Sequence, residues 1–271
     1  MKPKRDILEE IIAYKRQVVK QQKIRMPAER LYPKVEQIMA DGTMPVRSMK
    51  QALQQSDTGI IAEFKRKSPS KGWISPDASS AVVPISYYQN GAAAISILTD
   101  SWYFGGHINF LRTARQAPIE CPLLRKDFII DEYQVFHSRE MGADAILLIA
   151  SNLTHQQCRH LAHLAHQLKL ETLLEIHTEA ELDYVSNDID MVGVNNRNLG
   201  TFHTDVQNSY NLAEQLPDNY TLVSESGISD PATVRELRQA GFNGFLIGET
   251  FMKTGDPGKA LHNFIQQVRQ Q

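Results

Sequence analysis

The chain is 271 residues long, 42% hydrophobic and 22% charged, with a formal net charge of −2. That length suits one large α/β domain or two small ones, and the near-neutral balance excludes the global basic field of a nucleic-acid binder. Two cysteines far apart in sequence, Cys121 and Cys158, exclude a disulfide framework and point to a reducing cytoplasm, while the longest apolar runs, such as 145–150, are too short to span a membrane.

The first residues are charged and carry no apolar core of signal-peptide type. Ile7, Leu8, Ile11, Ile12, Val18 and Val19 then recur at helical spacing. They predict an amphipathic helix, followed by a second over 28–39 with Pro33 near its start. Acidic residues interrupt the polar face, so this stripe is expected to pack on the protein and not on a membrane surface. Residues 1–50 are read as a helical extension of one domain covering 1–271.

From Gly59 onward a short apolar strand, a loop and an amphipathic helix alternate. The predicted strands are 60–65, 93–99, 123–126, 145–149, 172–176, 191–195, 221–225 and 244–247. Helices are predicted over 79–89, 131–141, 154–168, 178–185, 205–216, 230–240 and 256–271. Asp230-Pro231 and Asp256-Pro257 read as an N-cap followed by Pro at the first helical position. Gly91, Gly142 and Gly241 read as helix stops. Eight such units predict a (β/α)8 TIM barrel with an N-terminal helical extension. An open doubly wound sheet would carry GxGxxG after its first strand, where this chain has KRKSPSKG.

In a barrel the chemistry gathers at the carboxyl ends of the strands. Those ends hold Glu63 and Lys65, Lys126, Glu175, Asn195 followed by Arg197, and Glu225 followed by Ser226. Alternation along a strand points Glu63 and Lys65 the same way. Odd-numbered strands share interior layers, so Glu63, Lys65, Lys126, Glu175 and Glu225 are expected to converge. Desolvation and like charge are expected to lower the pKa of a lysine there, toward general-acid duty near neutral pH. Ser226-Gly227 and Gly248-Glu249, after the seventh and eighth strands, resemble backbone phosphate grips, with Ser68 and Lys65 adding to them. The Glu249 carboxylate is expected to turn away from the anion. His155, His160, His163 and His166 drift around their helix, as a solvated face does, and predict no metal site.

Taken together, EFKRKSPSKG, LLRKDFI, LLIAS, LLEIH, GVNNRNL, VSESGIS and GFLIGETFM resemble, in order, the motifs of the indole-3-glycerol phosphate synthase family of tryptophan biosynthesis. The resemblance implies a metal-free and cofactor-free ring closure of 1-(2-carboxyphenylamino)-1-deoxyribulose 5-phosphate, with release of carbon dioxide and water. It implies Lys126 as general acid and Glu175 as the group assisting proton transfer in the dehydration. Lys65 would contact the substrate's acidic groups and share acid duty, oriented by Glu63. Asn195 and Glu225 would hold the ribulose portion and the lysines, with Arg197 near the anthranilate side. Ser68, Ser226, Gly227, Gly248 and Glu249 would contact phosphate and ribulose, and Pro69, Phe128 and Leu199 would wall the ring. The sequence departs from the family at Asn198, where Asp is frequent, and at Phe64, where Tyr is common; Asn198 is expected to alter how Arg197 is held. A monomer is expected, with a weak dimer as the alternative, and the expected partner is a small phosphorylated substrate, with neither nucleic acid nor a membrane. Phosphoribosylanthranilate isomerase is disfavoured, since it needs a Cys base where this chain has Glu63 and Lys65. A noncatalytic barrel that keeps only the phosphate loops could lose Lys126 or Glu175, and both are present.

Overall fold

The computed structural model describes residues 7–198, 200, 202–217 and 219–270. Two helices come first, α1 (Ile7–Arg25) and α2 (Ala28–Asp41). Among the described residues, eight parallel strands then close into a barrel in sequence order. They are β1 (Ile60–Phe64), β2 (Ala94–Leu98), β3 (Leu123–Lys126), β4 (Ala145–Ile149), β5 (Glu171–Ile176), β6 (Met191–Asn195), β7 (Thr221–Glu225) and β8 (Phe242–Ile247). The pairing of Ile61 with Leu246 closes β1 on β8. The predicted (β/α)8 architecture is therefore present, with every strand at its expected place.

Side-chain alternation sorts each strand into two cores. Ile61, Leu124, Leu147, Leu173, Val223 and Leu246 pack together inside the barrel. Ile60, Ile95, Ile146, Leu174, Val192 and Phe245 pack outward against the helices. On β1, β5 and β7 the next inward position after the apolar one is an acid: Glu63, Glu175 and Glu225. The barrel is thus greasy in its middle and ionic at the carboxyl end. A helix not anticipated from the sequence, α3 (Met49–Gln55), seals the other end. Ser48 caps it, and Met49 and Leu53 join the interior core.

The outer layer comprises α4 (Val83–Gln89), α5 (Ile108–Gln116), α6 (Glu132–Glu140), α7 (His155–Gln167), α8 (Gln207–Ala213), α9 (Pro231–Gln239), the one-turn α10 (Glu249–Met252) and α11 (Pro257–Arg269). Asp230 and Asp256 cap α9 and α11 through their side chains, with Pro at the first position, as expected. Two expectations change. The unit after β2 does carry a helix, α5, whose buried face consists of Leu111 and Ala114. The segment expected as a helix over 178–185 is a 3₁₀ turn, Glu179–Tyr184, with no buried residue to stabilise a longer helix.

Helix α1 lies against the ionic end. Ile11, Ile12 and Val19 are buried, and so is Lys15, only 2% exposed. Its Nζ is 2.8 Å from Asp100 and 2.6 Å from Asp127, the residues that follow β2 and β3. Asp127 also pairs at 2.9 Å with the fully buried Arg125, which donates to Thr99, Ser138 and the carbonyl of Gln134. Both cysteines are buried and unpaired. No helix among the described residues is long and apolar enough to cross a membrane.

Candidate active site

The ionic end opens into a cavity of about 520 Å³, a size suited to a small ligand. The strand ends supply Glu63, Lys126, Glu175, Asn195 and Glu225 to its wall. Lys65, Ser68 and Pro69 enter from the segment after β1, Phe128 from the loop after β3, and Arg197 from the loop after β6. Ser226, Gly227, Gly248 and Glu249 line the side opposite Phe128's strand, after β7 and β8. Every expected site residue among the described residues reaches this cavity; Leu199 lies outside the described residues. Ile7, Leu8 and Ile11 of α1 also line it, so the N-terminal helix forms part of the site's wall, which sequence patterning did not reveal.

The charges pair tightly. Lys126 Nζ is 2.8 Å from Glu175 Oε2 and is also bonded to Glu225 Oε2. Lys65 Nζ is 2.7 Å from Glu63 Oε1. Burial alone would lower the pKa of Lys126, but the carboxylates of Glu175, Glu225 and Glu63 outweigh it and hold the pKa above the ordinary lysine value. The expected depression of a lysine is therefore corrected: its neighbours are mostly acids, and they keep it charged. Burial likewise opposes the Glu175 carboxylate, yet Lys126 and His177 hold its pKa well below the usual range. Glu225 goes the other way. Burial, reinforced by the negative charges of Glu175 and Glu63, outweighs Lys126 and pushes it up to about 7. Its second oxygen, Oε1, has no hydrogen-bond partner among the described residues.

That oxygen lies against Gly193 on β6, where a Cβ would overlap it. A bare α-carbon at this inward position gives the carboxylate its room. After β7, Ser226 and Gly227 both take left-handed backbone angles, φ 70° and 79°. For a serine this conformation is uncommon and costs energy, and at Gly227 a Cβ would overlap the Thr204 side chain. The side-chain oxygen of Ser68 accepts from the Lys71 N–H at 3.2 Å, and Lys71 Nζ sits 3.6 Å from Glu249 Oε1. The Glu249 carboxylate is thus engaged by the β1 loop. Lys67–Ser68 pairs antiparallel with Gly72–Trp73, so the segment after β1 is a hairpin over the mouth.

Arg197 donates from its guanidinium to Thr204 at 3.3 Å and to Ser70 of that hairpin at 3.2 Å. Asn195 Oδ1 accepts from the Arg197 N–H at 3.0 Å, which fixes the turn carrying the guanidinium. Asn198 Oδ1 accepts from the Gly200 N–H at 3.0 Å. His177, two residues beyond Glu175 and hence on the same side, completes the cluster from behind. Its Nε2 is 3.3 Å from Glu175 Oε1. Among the described residues no group of three or more His, Cys, Asp or Glu is arranged to hold a metal ion. The four histidines of the α7 segment instead meet Tyr184, Glu132, Asp188 and Asp190.

A sequence model of the family described as indole-3-glycerol phosphate synthase matches residues 8–264. The chain belongs to the indole-3-glycerol phosphate synthase family. A relative of that name from Bacteroides thetaiotaomicron is 55% identical, covering 98% of this chain and 100% of its own length. Others from Polaromonas and from Neisseria gonorrhoeae are 42% and 43% identical, over 94% and 93% of this chain and 97% and 96% of theirs. Among solved structures, 3-hexulose-6-phosphate synthase from Salmonella typhimurium superposes with a TM-score of 0.60 at 11% identity, over 78% of this chain and 100% of that one. Thiamine phosphate pyrophosphorylase from Pyrococcus furiosus gives 0.60 at 15% identity, over 82% and 98%. At such identities these two likenesses speak to the barrel alone. Membership of the synthase family rests on the sequence relatives.

Proposed function

We propose that this protein is an indole-3-glycerol phosphate synthase of tryptophan biosynthesis, a carbon–carbon lyase acting on 1-(2-carboxyphenylamino)-1-deoxyribulose 5-phosphate. The observation that carries this reading is Lys126, held between Glu175 and Glu225 in the same cavity as the Lys65–Glu63 pair. The ring carbon bearing the carboxylate attacks the ketone carbon of the ribulose chain, and the ketone oxygen gathers negative charge. Lys126 donates to that oxygen. An alkoxide is more basic than an amine, so proton transfer follows the build-up of charge and needs no weakened lysine. Carbon dioxide then leaves, returning its bonding electrons to the ring. The new hydroxyl departs as water, and a proton lost from the former C1′ restores aromaticity. Glu175 serves the proton transfer of this dehydration.

Lys65 faces the substrate's acidic groups and shares acid duty, with Glu63 as its orienting partner. Glu225 and Asn195 hold the ribulose portion, and Arg197 the anthranilate side. The phosphate is assigned to the N–H groups of Ser226, Gly227, Gly248 and Glu249, with Ser68 beside them. Phe128, Pro69 and the apolar residues of α1 wall the aromatic ring. Residues 1–271 are read as one domain with 1–50 as its extension, acting as a monomer in the cytoplasm, where buried free thiols persist.

Turnover followed by indole fluorescence tests the reading. Robust wild-type turnover is expected, with kcat reduced about 10²–10⁴-fold in Lys126→Met while the fold is retained. A well-folded wild type without turnover refutes it.

A further inference from the structure

His177 has no place in the roles assigned above, and it does not line the cavity. Its position is nonetheless specific. The ring is 11% exposed and sits between two carboxylates: Nε2 is 3.3 Å from Glu175 Oε1, and Nδ1 is 3.5 Å from Glu181 Oε2. These are ion-pair contacts without hydrogen-bond alignment. Glu181 is itself immobilised. Its Oε2 accepts from the backbone N–H groups of His177, at 2.5 Å, and Thr178, at 3.3 Å, at the start of the 3₁₀ turn Glu179–Tyr184. From the far side, Asn208 of α8 donates to the His177 carbonyl at 3.1 Å and to the Asn195 carbonyl at 3.2 Å. The charged groups facing the ring are Glu175 from its own strand and Glu181 from the turn; α8 contributes only the neutral Asn208.

We propose that His177 is a positioning residue for Glu175, an imidazolium clamp anchored by Glu181. The two oxygens of Glu175 divide their work. Oε2 carries Lys126 at 2.8 Å, and Oε1 faces the imidazole. A cation on each oxygen fixes the carboxylate plane, so Glu175 cannot rotate away from the substrate when Lys126 turns to the ketone oxygen. Second cations behind a reacting carboxylate hold its geometry as donors behind a metal ligand do. Burial opposes the charge on His177, but the carboxylates of Glu175 and Glu181, one against each ring nitrogen, raise its pKa above the ordinary histidine value and favour the charged ring.

The clamp rests on the proposed synthase reaction for its kinetic arm only. In that arm, His177→Gln is expected to lower kcat about 10–100-fold while KM changes less than about threefold, because the substrate contacts stay in place. Glu181→Gln is expected to give a smaller fall of the same kind. The second arm needs no turnover. Side-chain ¹⁵N NMR of the ligand-free protein at pH 8, with the signal assigned by its loss in His177→Gln, is expected to show a doubly protonated ring. Glu181→Gln is expected to move its titration to lower pH. A neutral ring at pH 8, or unchanged kcat in folded His177→Gln, overturns the clamp. Should His177→Gln fail to fold, the signal is assigned by its loss in His177→Asn, and the wild-type and Glu181→Gln titrations decide. A wild type without turnover undoes the reaction, while the protonation state read by NMR still decides the clamp.

Discussion

Lys15 offers the sharpest test of how the N-terminal helix is joined to the site. Its ammonium is buried between Asp100 and Asp127. In Lys15→Met both carboxylates lose this partner. Asp127 keeps Arg125, at 2.9 Å, but Asp100 is left with the Tyr103 N–H, at 2.9 Å. Removing one member of a buried ion pair costs about 3–5 kcal/mol, because an uncompensated charge stays behind. For a chain of this size that lowers Tm by roughly 6–10 °C. The stranded charge is the cause of the loss, so removing that charge too should recover stability. Thermal unfolding is expected to place Lys15→Met/Asp100→Asn above Lys15→Met alone. Since α1 brings Ile7, Leu8 and Ile11 to the cavity, the single variant should also show a raised KM. A fall in Tm below about 2 °C, or a double variant no more stable than the single one, refutes the reasoning.

The remaining expectations concern the mouth of the barrel. Glu225, pushed up to about 7, should impose an ascending inflection near that pH on kcat/KM, since its role calls for the carboxylate; Glu225→Gln should abolish the inflection. Gly193→Ala puts a methyl group onto Glu225 Oε1 and should reduce kcat at least about tenfold while costing only about 1–3 kcal/mol in urea unfolding. Wild-type kcat in that variant would mean the carboxylate is free to move.

The strands were legible because a barrel strand is buried on both faces and reads as an unbroken apolar run ending at a charge. The convergence of Glu63, Lys126, Glu175 and Glu225 on one cavity followed from those endings. Helix α5 was not legible. Its cap is His107, and Leu111 and Ala114 are its buried residues, so neither a strong start signal nor a long stripe announces it. α3 is one short turn pair whose value lies in plugging the barrel, a tertiary fact. The Lys126 shift runs opposite to expectation, although the strand ends already offered three glutamates to two lysines. Distances decide such a balance, and both nearest neighbours of its ammonium proved to be acids. His177 left a usable signal: two residues after Glu175, it had to share its side of the strand. Lys15 left none, since its partners follow strands that lie far along the chain.

That last separation has a consequence for biosynthesis. Helix α1 leaves the ribosome before the strands do, yet its buried lysine finds Asp100 and Asp127 only after the third strand has emerged. Until then the ammonium must stay in water, and with it the stripe of Ile11, Ile12 and Val19 stays undocked. A segment made before the strands is therefore fastened after them, and the substrate cavity acquires its α1 wall only once the ends of β2 and β3 stand ready to receive it.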